Sequence, residues 1–134
     1  MNCLYLSKTK IMRKNLPVLI FLAFLTFSFV GKKAWDDRLL SKYSEQELME
    51  MEKNNPEQLN YLNKVARYGW NIMDLPEEKA NAHEIRGTVT IKDMKKVNLF
   101  ELGFMPEPKN YQYYKINNTK KMLVVLSEEM IRKH

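Results

Sequence analysis

The chain has one cysteine, four glycines and two histidines among 134 residues. A single cysteine excludes an intrachain disulfide and a cysteine-built metal site. That residue, Cys3, lies before the one long apolar run, and no cysteine follows the run to accept a lipoprotein-type lipid. His83 and His134 offer no pair at metal-ligand spacing, and His83-Glu84 lacks the second histidine of a zinc-protease helix. No serine sits in a G-x-S-x-G elbow, and the four glycines are too scattered to make a phosphate-binding loop. The adjacent carboxylates Asp36-Asp37, Glu77-Glu78 and Glu128-Glu129 point apart on a helix or strand, so none is an acid–base pair. Catalytic, cofactor and metal residues are all wanting, and the expectation is a protein that is not an enzyme and carries no cofactor.

What the chain does have is an apolar segment from Leu16 to Val30 (LPVLIFLAFLTFSFV), preceded by Arg13 and Lys14 and followed by Gly31, Lys32 and Lys33. A surface helix keeps one face polar, and this segment keeps none, which points to lipid or to the export machinery. Two readings stand side by side. A secretory signal has a basic start, an apolar region of about 7 to 15 residues and a small-residue cleavage site. Met12-Arg-Lys-Asn followed by Leu16 to Leu25 fits the first two, and Thr26-Phe27-Ser28 supplies the third, with cleavage after Ser28. Met12 would then be the start, and Met1 to Ile11 an upstream extension. A retained membrane anchor wants about 20 apolar residues, with roughly 17 as the lower bound. Asn15 to Gly31 reaches that bound, with Trp35 placed as an interfacial residue. Basic residues flank both ends, so orientation is open. Either reading puts the remainder outside the cytoplasm, with the export machinery or the membrane as partner of residues 16–30.

Charge has to be partitioned in the same way. The whole chain holds 22 Lys and Arg against 16 Asp and Glu, a net +6, but four of the basic residues precede the apolar run and no acidic residue does. The 18 basic residues from Lys32 onward against 16 acidic ones make an ordinary mixed-sign surface. Nucleic-acid binding, which wants a clustered basic face, is therefore not expected.

Beyond the apolar segment the pattern is that of one small α+β domain. Residues 32–43 read as a linker or short helix, and residues 44–134 as the domain. Ser44-Glu-Gln-Glu47 is a capping box, and Leu48 and Met51 form a narrow apolar stripe ending before Pro56. Asn55-Pro56-Glu57 restarts the chain as cap, first helical residue and acidic first turn. Leu59, Leu62, Val65 and Ala66 then recur at helical spacing, with Gly69 as the terminating residue. Asn71 to Ala82 reads as a loop. Ile85 to Lys92 (IRGTVTIK) reads as a strand, and Asn98 to Gly103 as a capped turn closed by glycine. Tyr111 to Ile116, a polar turn, and Lys121 to Leu126 form a C-terminal β-hairpin, followed by a short helix capped at Ser127. The two short helices of 44–68 are expected to cover a small antiparallel sheet.

The functional lead is aromatic. Trp70, Tyr111, Tyr113 and Tyr114 supply flat amphipathic area of the kind enriched at interfaces. Tyr111 and Tyr113 share one strand face and Tyr114 takes the other, so one face is expected to be core packing. Asn117-Asn118-Thr119 matches a glycosylation sequon, for which a tight turn is a sufficient explanation.

The stretches N-N-P-E-Q-L-N-Y at Asn54 to Tyr61 and Y-Q-Y-Y-K-I-N-N-T-K-K-M-L-V-V at Tyr111 to Val125 resemble small exported cell-envelope proteins of Bacteroidota with no assigned activity. The resemblance covers about the last 90 residues of the chain. It implies the cell envelope as address and no catalytic residue. The combined expectation is a non-enzymatic, exported or membrane-anchored interaction or accessory protein with an envelope protein as partner. The alternatives are a single-span subunit of a membrane complex, or a small ligand-binding domain with its pocket around Trp70 and Tyr111 to Tyr114.

Overall fold

A computed structural model describes residues 33–79 and 84–134. The apolar segment 16–30, and with it the signal or anchor reading, lies outside the described residues, as does His83. Among the described residues no helix is long and apolar enough to cross a membrane. The chain divides into the units Met1–Ala34 and Trp35–His134, and the second carries the fold.

Among the described residues, four helices and four strands make up this unit. Helix α1 is Asp37–Leu40, α2 is Glu45–Asn54, α3 is Pro56–Tyr68 and α4 is Glu128–Lys133. The strands are β1 (Trp70–Asp74), β2 (Ile85–Val89), β3 (Gln112–Ile116) and β4 (Lys121–Val125), with a 3₁₀ turn at Glu77–Lys79 between β1 and β2. They form one sheet in the order β1-β4-β3-β2.

Side-chain caps place the helix starts where the sequence has them. The Ser44 hydroxyl accepts from the Glu47 amide at 3.3 Å, and the Glu47 carboxylate accepts from the Ser44 amide at 2.8 Å. Asn55 Oδ1 accepts from the Gln58 amide at 3.2 Å and Ser127 Oγ from the Met130 amide at 3.4 Å. Each cap satisfies a donor that the helix cannot pair internally. Ser44→Ala is expected to cost about 1 kcal/mol in chemical denaturation. The Ser44 amide, and then its hydroxyl, hold the Glu47 carboxyl below its ordinary value. A depressed carboxyl stabilises fully above its unfolded pKa and loses that contribution as pH falls through the lowered one. Ser44→Ala removes the hydroxyl's share and keeps the amide's, so it should flatten the acid limb of the stability profile only in part.

The sheet differs from the expected antiparallel one. Strands β1 and β4 pair antiparallel, as do β4 and β3, but β2 lies parallel to β3. Parallel neighbours need a long crossover rather than a tight turn. Residues 90–111 provide it without a helix, folding through turns at Asp93–Lys96 and Asn98–Phe104 and burying Val97, Leu99 and Phe100. Of the stretch Asn71 to Ala82, read as loop, residues 71–74 belong instead to β1, an edge strand on β4. Strand β2 stops at Val89, short of the expected Lys92. The hairpin stands where expected, its turn holding Asn118 at φ 57°. Thr119 Oγ1 donates to Ile116 O at 2.9 Å and accepts from the Lys121 amide at 3.1 Å. The sequon threonine thus has a turn role.

Cross-strand partners share a sheet face. Trp70, Val125 and Gln112 make one row, and Ile72, Leu123 and Tyr114 the next. This face packs with Leu48 of α2, Leu59, Leu62 and Val65 of α3 and Ile131 of α4 in one apolar core. Residues 35–43, read as linker or short helix, contain α1, whose Leu39 is fully buried in that core. The opposite face presents Asn71, Met73, Met122, Val124, Tyr113 and Lys115, with Ile85 beside Tyr113.

Candidate functional site

The register separates the four aromatic residues. Tyr114 faces the core, where its ring stacks on Phe104 with centroids 4.0 Å apart and its hydroxyl donates to Gln112 Oε1 at 3.0 Å. Gln112 in turn donates through Nε2 to Met105 O at 2.9 Å, so both residues brace the loop entering β3. Trp70 lies two strands from β3, half-buried against the core, and its buried indole N–H has no acceptor among the described residues. Tyr111 and Tyr113 take the opposite side. They line a shallow concavity of about 430 Å³ with Glu84, Arg86, Lys109 and Asn110. The pocket expected around all four aromatics is therefore not formed: Tyr111 and Tyr113 come together, and Trp70 and Tyr114 serve the core.

Local irregularities build the concavity. Between Ile85, opposite Tyr113, and Gly87, opposite Tyr114, the ladder slips at Arg86. Such a bulge re-aims a side chain. Here it sends the guanidinium to Glu107, with which it forms a hydrogen-bonded ion pair. That bond is the main reason why the Glu107 carboxyl sits below its ordinary value. The loop carrying Lys109 and Asn110 is tied down from the other side. The Glu128 amide donates to Glu107 O at 2.8 Å and the Glu129 amide to Pro108 O at 3.2 Å. The first turn of α4 thereby satisfies two orphan donors on this loop.

Tyr111 is 38% exposed, and Tyr113 is half-buried with the Lys79 ammonium 5.7 Å from its ring centroid. Lys79 also reaches Glu84 at 3.9 Å. The result is an aromatic floor with charged walls, in which Glu107 is paired with Arg86 and held ionised.

Sequence reasoning singled out the two tyrosines but not Glu84, Arg86, Lys109 or Asn110. The signal for Arg86 was Gly87, since a glycine inside a strand pattern marks a bulge. Lys109 and Asn110 carry no local signal, because their placement depends on α4.

Two smaller hollows lie elsewhere. One, about 230 Å³, lies between α3 and α4 and is lined by Glu57, Asn60, Tyr61, Lys64 and Arg132. The Arg132 guanidinium covers the Tyr61 ring at 4.3 Å, and burial, aided by nearby Glu128, pushes the Tyr61 phenol up to about 12. The other, about 260 Å³, lies within the turns of residues 90–102. Among the described residues no group of three or more His, Cys, Asp or Glu could hold a metal ion.

No family model, curated protein or solved structure matches the chain.

Proposed function

We propose that the chain is a non-enzymatic cell-envelope protein, exported or anchored through residues 16–30, that works as an interaction or accessory protein. The observation that carries the reading is the pair Tyr111 and Tyr113, set side by side away from the core in a braced, charge-walled concavity. Aromatic and arginine side chains are enriched in protein interfaces, and tyrosine rings give large contact area at low entropic cost. The apolar segment and the resemblance to Bacteroidota envelope proteins support the address. Nothing in this reading requires a reactive group.

The test uses the full chain in its native host with a photo-crosslinking amino acid at position 111. A discrete adduct in the envelope fraction is expected, weakened by Tyr113→Ala and absent when the probe stands at Gln46, an exposed residue of α2. No adduct at position 111, or the same adduct at 46, would remove the support for this face. Recovery of the chain in the cytosolic fraction would remove the address.

A further inference from the structure

The walls of the Tyr111–Tyr113 concavity are more basic than acidic. Arg86 and Lys109 line it, Lys79 lies over the Tyr113 ring, and Lys115 follows Tyr113 on the same strand face. Two carboxylates stand among these cations, and both are taken, Glu84 by Lys79 and Glu107 by Arg86. Lys109 and Lys115 have no ion pair among the described residues. Positive charge is thus left over beside exposed aromatic surface.

Resting on the reading of this face as an interface, we propose that its occupant is an acidic segment of a partner protein. Its carboxylates face Lys109 and Lys115, and an apolar or aromatic side chain between them lies on Tyr111 and Tyr113. The division of labour is physical: the rings provide desolvated contact area, and the lysines provide steering and register. The other occupants fit less well. The chain's own residues 1–33 hold basic side chains at positions 8, 10, 13, 14, 32 and 33 and no acidic one, so they would be repelled. A second copy docking through the same patch would set Lys109 and Lys115 against their equivalents. A flat anionic bilayer does not fill a concavity.

The experiment measures binding of the full-length protein, in detergent, to a fluorescent peptide of alternating Glu and Phe. Its Lys–Phe counterpart and phosphatidylglycerol vesicles serve as the competing probes. The Glu peptide should bind, the Lys peptide should not, and added salt should weaken the complex. The double variant Lys109→Glu/Lys115→Glu should lose about tenfold in affinity with its thermal midpoint unchanged. Equal binding of the two peptides, or indifference to the charge reversal, overturns the proposal. So does vesicle binding that the reversal abolishes in the absence of peptide binding. A crosslink from position 111 that persists in the charge-reversed chain would leave the interface standing and make its acidic occupant wrong. No crosslink in the unaltered chain would remove both.

Discussion

Leu39→Ala is expected to lower the stability of the domain by about 2 to 5 kcal/mol, whereas its neighbour Leu40→Ala should stay within about 0.5 kcal/mol. The contrast follows from position alone. Leu39 is fully buried against the core and Leu40 is 38% exposed, although both belong to the same four-residue helix. A helix of one turn has no stability of its own, so α1 exists because it is docked. Truncating Leu39 removes its transfer energy and leaves a cavity under a helix held by few other groups. For a domain whose total stability is typically about 5 to 15 kcal/mol, that is a large fraction. Denaturant midpoints of the two variants give the answer. Equal midpoints would mean that residues 35–43 are a tether and not part of the fold.

Polar groups specify where α1 docks. Asp36 caps it, its Oδ1 accepting from the Arg38 amide at 3.1 Å and from Arg38 Nε at 3.0 Å. Arg38 Nη1 reaches Ala66 O in the last turns of α3 at 2.7 Å, and Arg67 approaches Asp36 at 3.6 Å. The cation therefore satisfies a carbonyl near the negative end of α3 while its own charge is balanced by the cap. The Arg38 hydrogen bond is the main cause of the lowered Asp36 pKa. This contribution is complete above the ordinary carboxylate pKa and fades as pH falls through the lowered one, so acid loosens α1.

How much of this could be read from the residues differs by element. Helices α2, α3 and α4 begin at Ser44, Asn55 and Ser127 because capping is local chemistry, and local chemistry is written in the sequence. The hairpin is equally local. Strand β1 is not: Trp-Asn-Ile-Met-Asp has only weak alternation and stands before Pro76, and it becomes a strand because β4 has a free edge for it. The direction of β2 is likewise absent from its own five residues, being set by the route of residues 90–111 through the core. Leu39 was hidden among charges, and one buried leucine makes no periodicity. The site divides in the same way. That Tyr111 and Tyr113 share a face follows from the period of a strand, but which face is covered depends on where α2 and α3 pack.

Gly69→Ala is the second substitution with a large expected cost, about 1 to 3 kcal/mol, and it separates two reasons for a glycine at the end of a helix. Gly69 closes α3 and opens β1, donating to Val65 O at 3.0 Å and accepting from the Leu126 amide at 2.8 Å. It terminates the helix as expected, but its φ of −71° is available to any residue, so a left-handed conformation is not what requires glycine here. Space is the constraint. A Cβ would stand 2.5 Å from Val65 O, 3.1 Å from Val65 Cα and 3.2 Å from Leu99 Cδ1. Two of those atoms are backbone of a packed helix, and relieving the clash means shifting α3 against β1. Gly103 is the converse case, with φ +74° and nothing within 4 Å of an added Cβ. Asparagine tolerates the left-handed region and alanine does not. Gly103→Asn should therefore recover much of what Gly103→Ala loses, while Gly69→Asn should be at least as damaging as Gly69→Ala. Rescue by asparagine at position 69 would show that the joint between α3 and β1 is set by backbone conformation and not by close approach.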